Sequence, residues 1–219
     1  MKYSIQLIAF KFLNMTVFSI SPIGIVKSKA YREVLKYSDE DLKLDLAVAL
    51  NQGSDLIKSM IIINEDYIDC LDGIEDFSHI IIIFWTHKVP DKAHQIKRVH
   101  PAGLKKIPMK GIFATRSPVR PNPICKTTVK LIEKKGYTLL VEGLDAIDNT
   151  PVIDIKPHLP FYDSPTNIKL ANWMYDLMEE LKKLTEKPDL DKNSNPYSIN
   201  IRTHPCISPD QLNKQKNSD

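Results

Sequence analysis

Short apolar runs, separated by polar and proline-rich stretches, set the pattern of this chain. PIGIV (22–26), MIIIN (60–64) and HIIIIFWTH (79–87) read as strands, the last apolar on both faces and therefore fully buried. Further short strands are predicted over 111–114, 127–133 and 137–142, with Gly136 as the hairpin turn, and VIDI (152–155) is the last. Ser38 and Asp41 have the spacing of a capping box, which predicts a helix over 38–50 with Leu42, Leu46 and Ala49 on one face, ended by Gly53. DYIDCL (66–71) reads as a short helical stretch. Many short strands with few helices imply a mainly β fold, a closed or nearly closed β-barrel rather than a doubly wound Rossmann sheet.

The character changes after Tyr162. Ser164-Pro165 resembles a helix start, and Ala171, Met174, Leu177, Leu181 and Leu184 recur at helical spacing, so 164–187 is predicted as a C-terminal amphipathic helix. The aromatic residues of NWMYDLM fit core packing better than a ligand site. Residues 188–219 are rich in Asn, Ser, Asp, Lys and Pro, the composition of a disordered tail. Residues 1–20 read as an extension, since Lys11 and Asn14 break their apolar run and no small-residue cleavage site follows. The barrel domain is thus expected over 21–163.

Charge sharpens this picture. The formal net charge is only +3, yet residues 86–136 carry thirteen Lys or Arg against Asp91 and Glu133, a local balance of +11. Three of the six histidines, His87, His94 and His100, lie in the same stretch. Such a concentration is the electrostatic footprint of a polyanionic partner. A solvated lysine face gives the same charge, but it has no need of the prolines and arginines found here. Cys70, Cys125 and Cys206 are odd in number and widely spaced, which implies a reducing, cytoplasmic setting and no disulfide framework. The longest apolar run, Ile80 to Trp85, is far too short to span a bilayer.

Only seven glycines occur, none in a G-x-G arrangement, which removes both the dinucleotide fingerprint and the phosphate loop. H-E-x-x-H and C-x-x-C are absent too, so no metal catalyst is expected. Three segments carry more chemistry than packing requires. FWTHK (84–88) brings a buried strand to the surface at His87 and Lys88. ATRSPVRPNP (114–123) interleaves Arg116, Arg120 and Asn122 with Pro118, Pro121 and Pro123; proline removes a donor and fixes φ, so this is a stiff loop. GLDAIDNTPVIDIKP (143–157) holds Asp145, Asp148 and Asp154; the first two have the ordinary use of aspartate in turns, whereas Asp154 sits between apolar positions of a strand.

Taken together, F-S-H-I-x-x-x-F-W-x-H, G-x-F-A-T-R-S-P-x-R-P-N-P-I and G-L-D-A-x-D-x-T-P-V-x-D-I-K-P resemble the TrmO (TsaA-like) family over about Pro22 to Asp163. That resemblance implies a compact barrel, a homodimer, and S-adenosyl-L-methionine bound without a Rossmann domain. The activity it implies is methylation of N6 of threonylcarbamoyl-adenosine next to the tRNA anticodon. His87, Lys88, Arg116, the main chain around Lys126, and Ala146, Ile147, Asp148 and Asn149 would line the cofactor pocket. Arg120, Asn122 and Asp154 would face the substrate. The chain departs from the family pattern at Cys125, Lys126 and Thr127, where glycine, leucine and serine are usual, and at Asn149, a glycine elsewhere. A Pro-Arg-Gln segment expected after the first strand is missing, and the predicted helix stands in its place. Two other functions fit the same residues: methylation of a different acceptor, or an RNA-binding barrel without catalysis.

Overall fold

The computed structural model describes residues 19–28, 35–38, 41–44 and 58–185. Six antiparallel strands close a barrel: β1 (Gly24–Lys27), β4 (Lys58–Ile63), β5 (His79–Trp85), β8 (Ile124–Lys135), β9 (Thr138–Glu142) and β10 (Pro151–Pro157), in the order β1-β10-β5-β8-β9-β4. Closure removes the exposed edges that a sheet of this size would otherwise carry. The inward positions are branched or aromatic. Val26, Ile61, Ile80, Ile82, Phe84, Val129, Leu139, Val141 and Val152 are all buried in one interior cluster, each contributing roughly 1.5–3 kcal/mol of transfer free energy. Gly24 is required by a close approach: a Cβ there would lie 2.3 Å from the Ile62 carbonyl oxygen of the neighbouring β4. Gly136, at φ 55°, makes the β8–β9 turn as its sequence position implies.

A second cluster lies outside the barrel. Leu42, Ala93, Val99, Ile112 and Val119 pack together, joined by Tyr37, Val89 and Ile96. The strands here are short: β2 (Leu35–Ser38) pairs with β3 (Asp41–Leu44), and β6 (Arg98–Val99) with β7 (Lys110–Gly111). This corrects the helix predicted over 38–50, whose residues 45–50 lie outside the described ones. Ser38 and Asp41 face each other across a hairpin. The reason is tertiary. Asp41 Oδ1 accepts from the main-chain N–H groups of Leu42 and His100 at 2.8 and 2.9 Å, and His100 Nδ1 donates to Asp41 Oδ2 at 2.5 Å. A carboxylate engaged by three donors, two of them on distant His100, is not free to cap a helix.

Other boundaries also shift. Residues 65–71 form a 3-10 helix rather than an α-helix, and the strand predicted over 111–114 stops at Gly111, where Ile112–Ala114 turns in 3-10 geometry. The Thr115 hydroxyl donates to the Ile112 carbonyl at 2.9 Å and closes that turn. After α1 (Pro160–Asp163), helix α2 runs over Asn172–Thr185 and does not begin at Ser164. Ser164 N–H is taken by the Pro160 carbonyl at 3.0 Å, and Asn167 adopts φ 58°, which no right-handed helix accommodates. Leu177 is buried on α2, Lys106 Nζ donates to Glu180 at 2.8 Å, and Lys110 Nζ lies 5.9 Å from the Trp173 ring centre. Trp173 and Tyr175 are half-buried and belong to neither core cluster. No helix among the described residues is long and apolar enough to cross a membrane.

Burial pushes the Asp41 carboxyl up, but the hydrogen bonds from His100 and Leu42 outweigh it and hold the group below its ordinary value. A carboxyl depressed on folding stabilises above its unfolded pKa of about 3.9 and loses that contribution as pH falls through the folded value. Asp41→Asn is expected to destabilise by roughly 1.5–3 kcal/mol at pH 7, the range for hydrogen bonds to a charged group. Urea melts should show that gap narrowing below about pH 4; a constant gap would mean that the carboxylate charge contributes nothing.

Candidate active site at one rim of the barrel

The barrel register brings the three chemistry-rich segments together. Trp85 lies opposite Ile124 of β8, and Phe84 opposite Val152 of β10. Asn149 N–H donates to Val26 O and Val26 N–H to Thr150 O, at 2.8 and 2.9 Å. Thr86–Lys88, the loop 115–123 with the start of β8, and the turn 143–150 therefore surround one rim.

Each segment is fixed by its own bonds. Thr86 N–H and hydroxyl both donate to the Pro123 carbonyl, at 2.8 and 3.0 Å, which locks the end of β5 to the end of the arginine–proline loop. Within that loop the Val119 N–H donates to Ser117 Oγ at 3.1 Å, and Ser117, Val119 and Pro123 are buried. The Arg116 guanidinium folds across to donate from Nη2 to the Lys126 carbonyl at 2.7 Å, while both side chains remain exposed. Arg120 is half-buried and Asn122 exposed, with His87 and Lys88 exposed at the neighbouring strand end.

On the opposite side of the rim, Asn149 takes φ 62° in the place where a glycine would be usual. Lys27 Nζ donates to Asn149 Oδ1 at 2.6 Å, Asn149 Nδ2 donates to Asp148 Oδ2 at 2.8 Å, and Ser28 N–H donates to Asp148 Oδ1 at 3.1 Å. Ala146 belongs to the barrel interior and Ile147 is half-buried. Lys27 and Ser28 were not singled out from the sequence. The polar end of an otherwise apolar first strand is the signal that marks them.

Cys125 lies between these groups. It is half-buried, packs against the interior cluster, and continues the regular pairing of β8 as the partner of Phe84. Burial pushes its thiol pKa up, the Asp145 carboxylate adds to that, and the Arg120 and Arg116 guanidinium groups oppose it. The same balance places Asp145, Arg116 and Arg120 in one electrostatic neighbourhood. Asp154 stands apart. Its Oδ1 accepts from Ile155 N–H at 2.9 Å, Lys156 Nζ approaches its Oδ2 at 2.7 Å, and it lines a separate cleft of about 380 Å³ with Ile23, Tyr67 and Phe77. Another cleft, about 510 Å³, runs between His94–Lys97 and Gly111–Ala114 and touches the loop at Pro121, beside the rim rather than within it.

The protein is a closed antiparallel barrel, not a Rossmann sheet, with cationic and carboxamide groups braced at one rim. The chain belongs to the family described as tRNA-methyltransferase O N-terminal domain, which matches residues 51–164. An Archaeoglobus fulgidus protein named S-adenosyl-L-methionine-binding protein is 40% identical over 147 residues, 66% of this chain and 91% of that protein. The Mus musculus tRNA (adenine(37)-N6)-methyltransferase is 43% identical over 110 residues, 50% of this chain but only 25% of the mouse enzyme. The crystal structure of TrmO from Pseudomonas aeruginosa superposes with a TM-score of 0.52 at 25% identity, over 73% of this chain and 63% of that one. The barrel fold and the family membership expected from the sequence are both borne out.

Because its thiol is half-buried with a raised pKa, Cys125 should resist alkylation. At pH 8, iodoacetamide is expected to modify the exposed Cys70 about tenfold faster, since the thiolate is the reacting form, as read by peptide mass mapping. Equal rates would place the Cys125 thiol open at the rim.

Proposed function

We propose that this chain is an S-adenosyl-L-methionine-dependent methyltransferase acting on tRNA, and that its acceptor is N6 of threonylcarbamoyl-adenosine next to the anticodon. The observation that carries this reading is the convergence of His87–Lys88, the arginine–proline loop and the 143–150 turn at one rim, in a chain of this family with no other nucleotide-binding motif.

The donor set suits the cofactor. Arg116 or Lys88 pairs with its methionine carboxylate, and main-chain groups at Lys126 and across Ala146–Asn149 meet its adenine edge. Asp148, held by Ser28 N–H and Asn149 Nδ2, can turn negative charge toward the sulfonium from the 143–150 turn. The exposed Asp145, near Cys125 and both arginines, can add to that negative charge. When bound, the cofactor supplies an electrophilic methyl group. The chain supplies alignment, and a loop stiffened by three prolines and buried at Ser117, Val119 and Pro123 holds Arg120 and Asn122 in register toward the acceptor. The basic segment attracts the tRNA backbone. We also read the protein as a cytoplasmic homodimer. Phe161 and Tyr162, 81% and 80% exposed with ring centres 5.3 Å apart, form an apolar pair suited to a second copy.

The test incubates the protein with S-adenosyl-L-methionine and tRNA, followed by nucleoside mass spectrometry. Methyl should appear on N6-threonylcarbamoyladenosine and not on tRNA from cells unable to make that nucleoside. Methylation of unmodified adenosine would assign another acceptor, and no cofactor binding by calorimetry would leave an RNA-binding barrel. Arg116→Ala is expected to weaken cofactor binding by roughly 1.5–3 kcal/mol, the scale of a charged hydrogen bond. Unchanged affinity would remove Arg116 from the carboxylate contact.

A further inference from the structure

The cleft beside the rim has features that the rim itself does not explain. Its floor is the buried Ile112, and its walls are His94, Gln95, Lys97, Phe113 and Pro121. Phe113 is 81% exposed although its neighbour Ile112 is in the second core. An aromatic ring held at the surface by a 3-10 turn, with nothing covering it, carries a solvation penalty that packing does not recover. The second observation concerns His94. Its Nε2 is buried and has no hydrogen-bond partner among the described residues, and an unpartnered buried nitrogen of this kind calls for an explanation.

We propose that this cleft is a nucleobase subsite for single-stranded RNA: one base stacks on Phe113, its polar edge meets the exposed Gln95, and the His94 ring turns to bring its buried Nε2 to that edge. The occupant follows from charge and position. The cleft lies within the segment of balance +11, Lys97 is on its wall, and a strand carrying a base there brings its phosphates against that charge. Pro121 joins it to Arg120 and Asn122, so the stacked base is a neighbour of the nucleotide presented to the rim. Aromatic stacking is how proteins hold splayed single-stranded bases, because every base offers a π-face. This inference rests on tRNA being the substrate, and it adds a second point of grip outside the reacting nucleotide.

The test measures fluorescence anisotropy of a labelled single-stranded adenylate RNA, and of the same strand with abasic riboses, against the full-length protein. Phe113→Ala is expected to weaken the adenylate strand about tenfold, the scale of one lost stack. Phe113→Trp should retain affinity, and the abasic strand should bind both forms equally. The salt dependence should not change, since no cation is removed, and calorimetric binding of S-adenosyl-L-methionine should match the unsubstituted protein. Because the ring is exposed, thermal melts of the variants should coincide. Adenylate binding unaltered in Phe113→Ala would overturn the subsite, as would a loss confined to self-association in light scattering, which would assign the face to a second copy. If the unsubstituted protein binds no RNA at all, the tRNA reading fails with it.

Discussion

The constraint on which the rest depends is the double pairing of β5. Its seven residues pair with β8 on one side, and Ile80 to Phe84 pair with β10 on the other. The register of each pairing decides which residues reach the rim at Trp85. Because side chains alternate with period two, a slip of one residue on either side would turn Ile80, Ile82 and Phe84 out of the interior. Burying those three fixes the register, and the register then delivers Thr86, Pro123 and Thr150 to one end. The site is thus a consequence of core packing. Its residues are positioned by strands whose own sequences are largely apolar.

The barrel was legible in the sequence because its strands are apolar runs bounded by turn residues, and the rim segments because proline, arginine and asparagine in such density have no packing role. What could not be read was anything decided by a distant partner. Ser38 and Asp41 have the local grammar of a helix start, yet His100 claims the carboxylate from far along the chain. Asp148 was readable as a turn residue, and that plain role holds; what the sequence did not show is that Ser28 N–H and Asn149 Nδ2 each donate to one of its oxygens. Asp154 sat conspicuously between apolar positions, but a bulge in β10 between Val152 and Asp154 changes the alternation that made it conspicuous. Local pattern predicted elements well and side-chain partners poorly.

The basic lobe poses a separate question: how a segment with such excess positive charge stays folded against the barrel. Like charges near one another destabilise a compact state. The structure answers with a small apolar core, Leu42 to Val119, that lies beneath the charges and not among them. The Asp41 carboxylate, held by His100 and Leu42, is nearly buried at the edge of that core, where screening by salt is weak. On the exposed side Glu180 of α2 meets Lys106, and Glu75 and Glu133 meet Lys134 and Lys135; exposed pairs of that sort contribute at most about 1 kcal/mol. The segment 86–136 keeps a formal balance of +11 in the sequence, a surplus that a polyanion is suited to meet.

The departures from the family pattern can be weighed in the same way. A glycine at a pocket wall either permits positive φ or admits a ligand to the main chain. At Asn149 the first use is kept: the backbone stays at φ 62°, and the side chain that a glycine lacks now ties Lys27 to Asp148. At Cys125 the residue pairs regularly in β8 and the side chain packs inward, so no left-handed geometry was needed there. Cysteine fills that space as a small hydrophobe. Both replacements add interactions on the barrel side of the rim and leave Arg116 exposed on its outer side, braced to the Lys126 carbonyl. They stiffen the frame of the site, and stiffness is what an in-line methyl transfer between two bound partners requires of its protein.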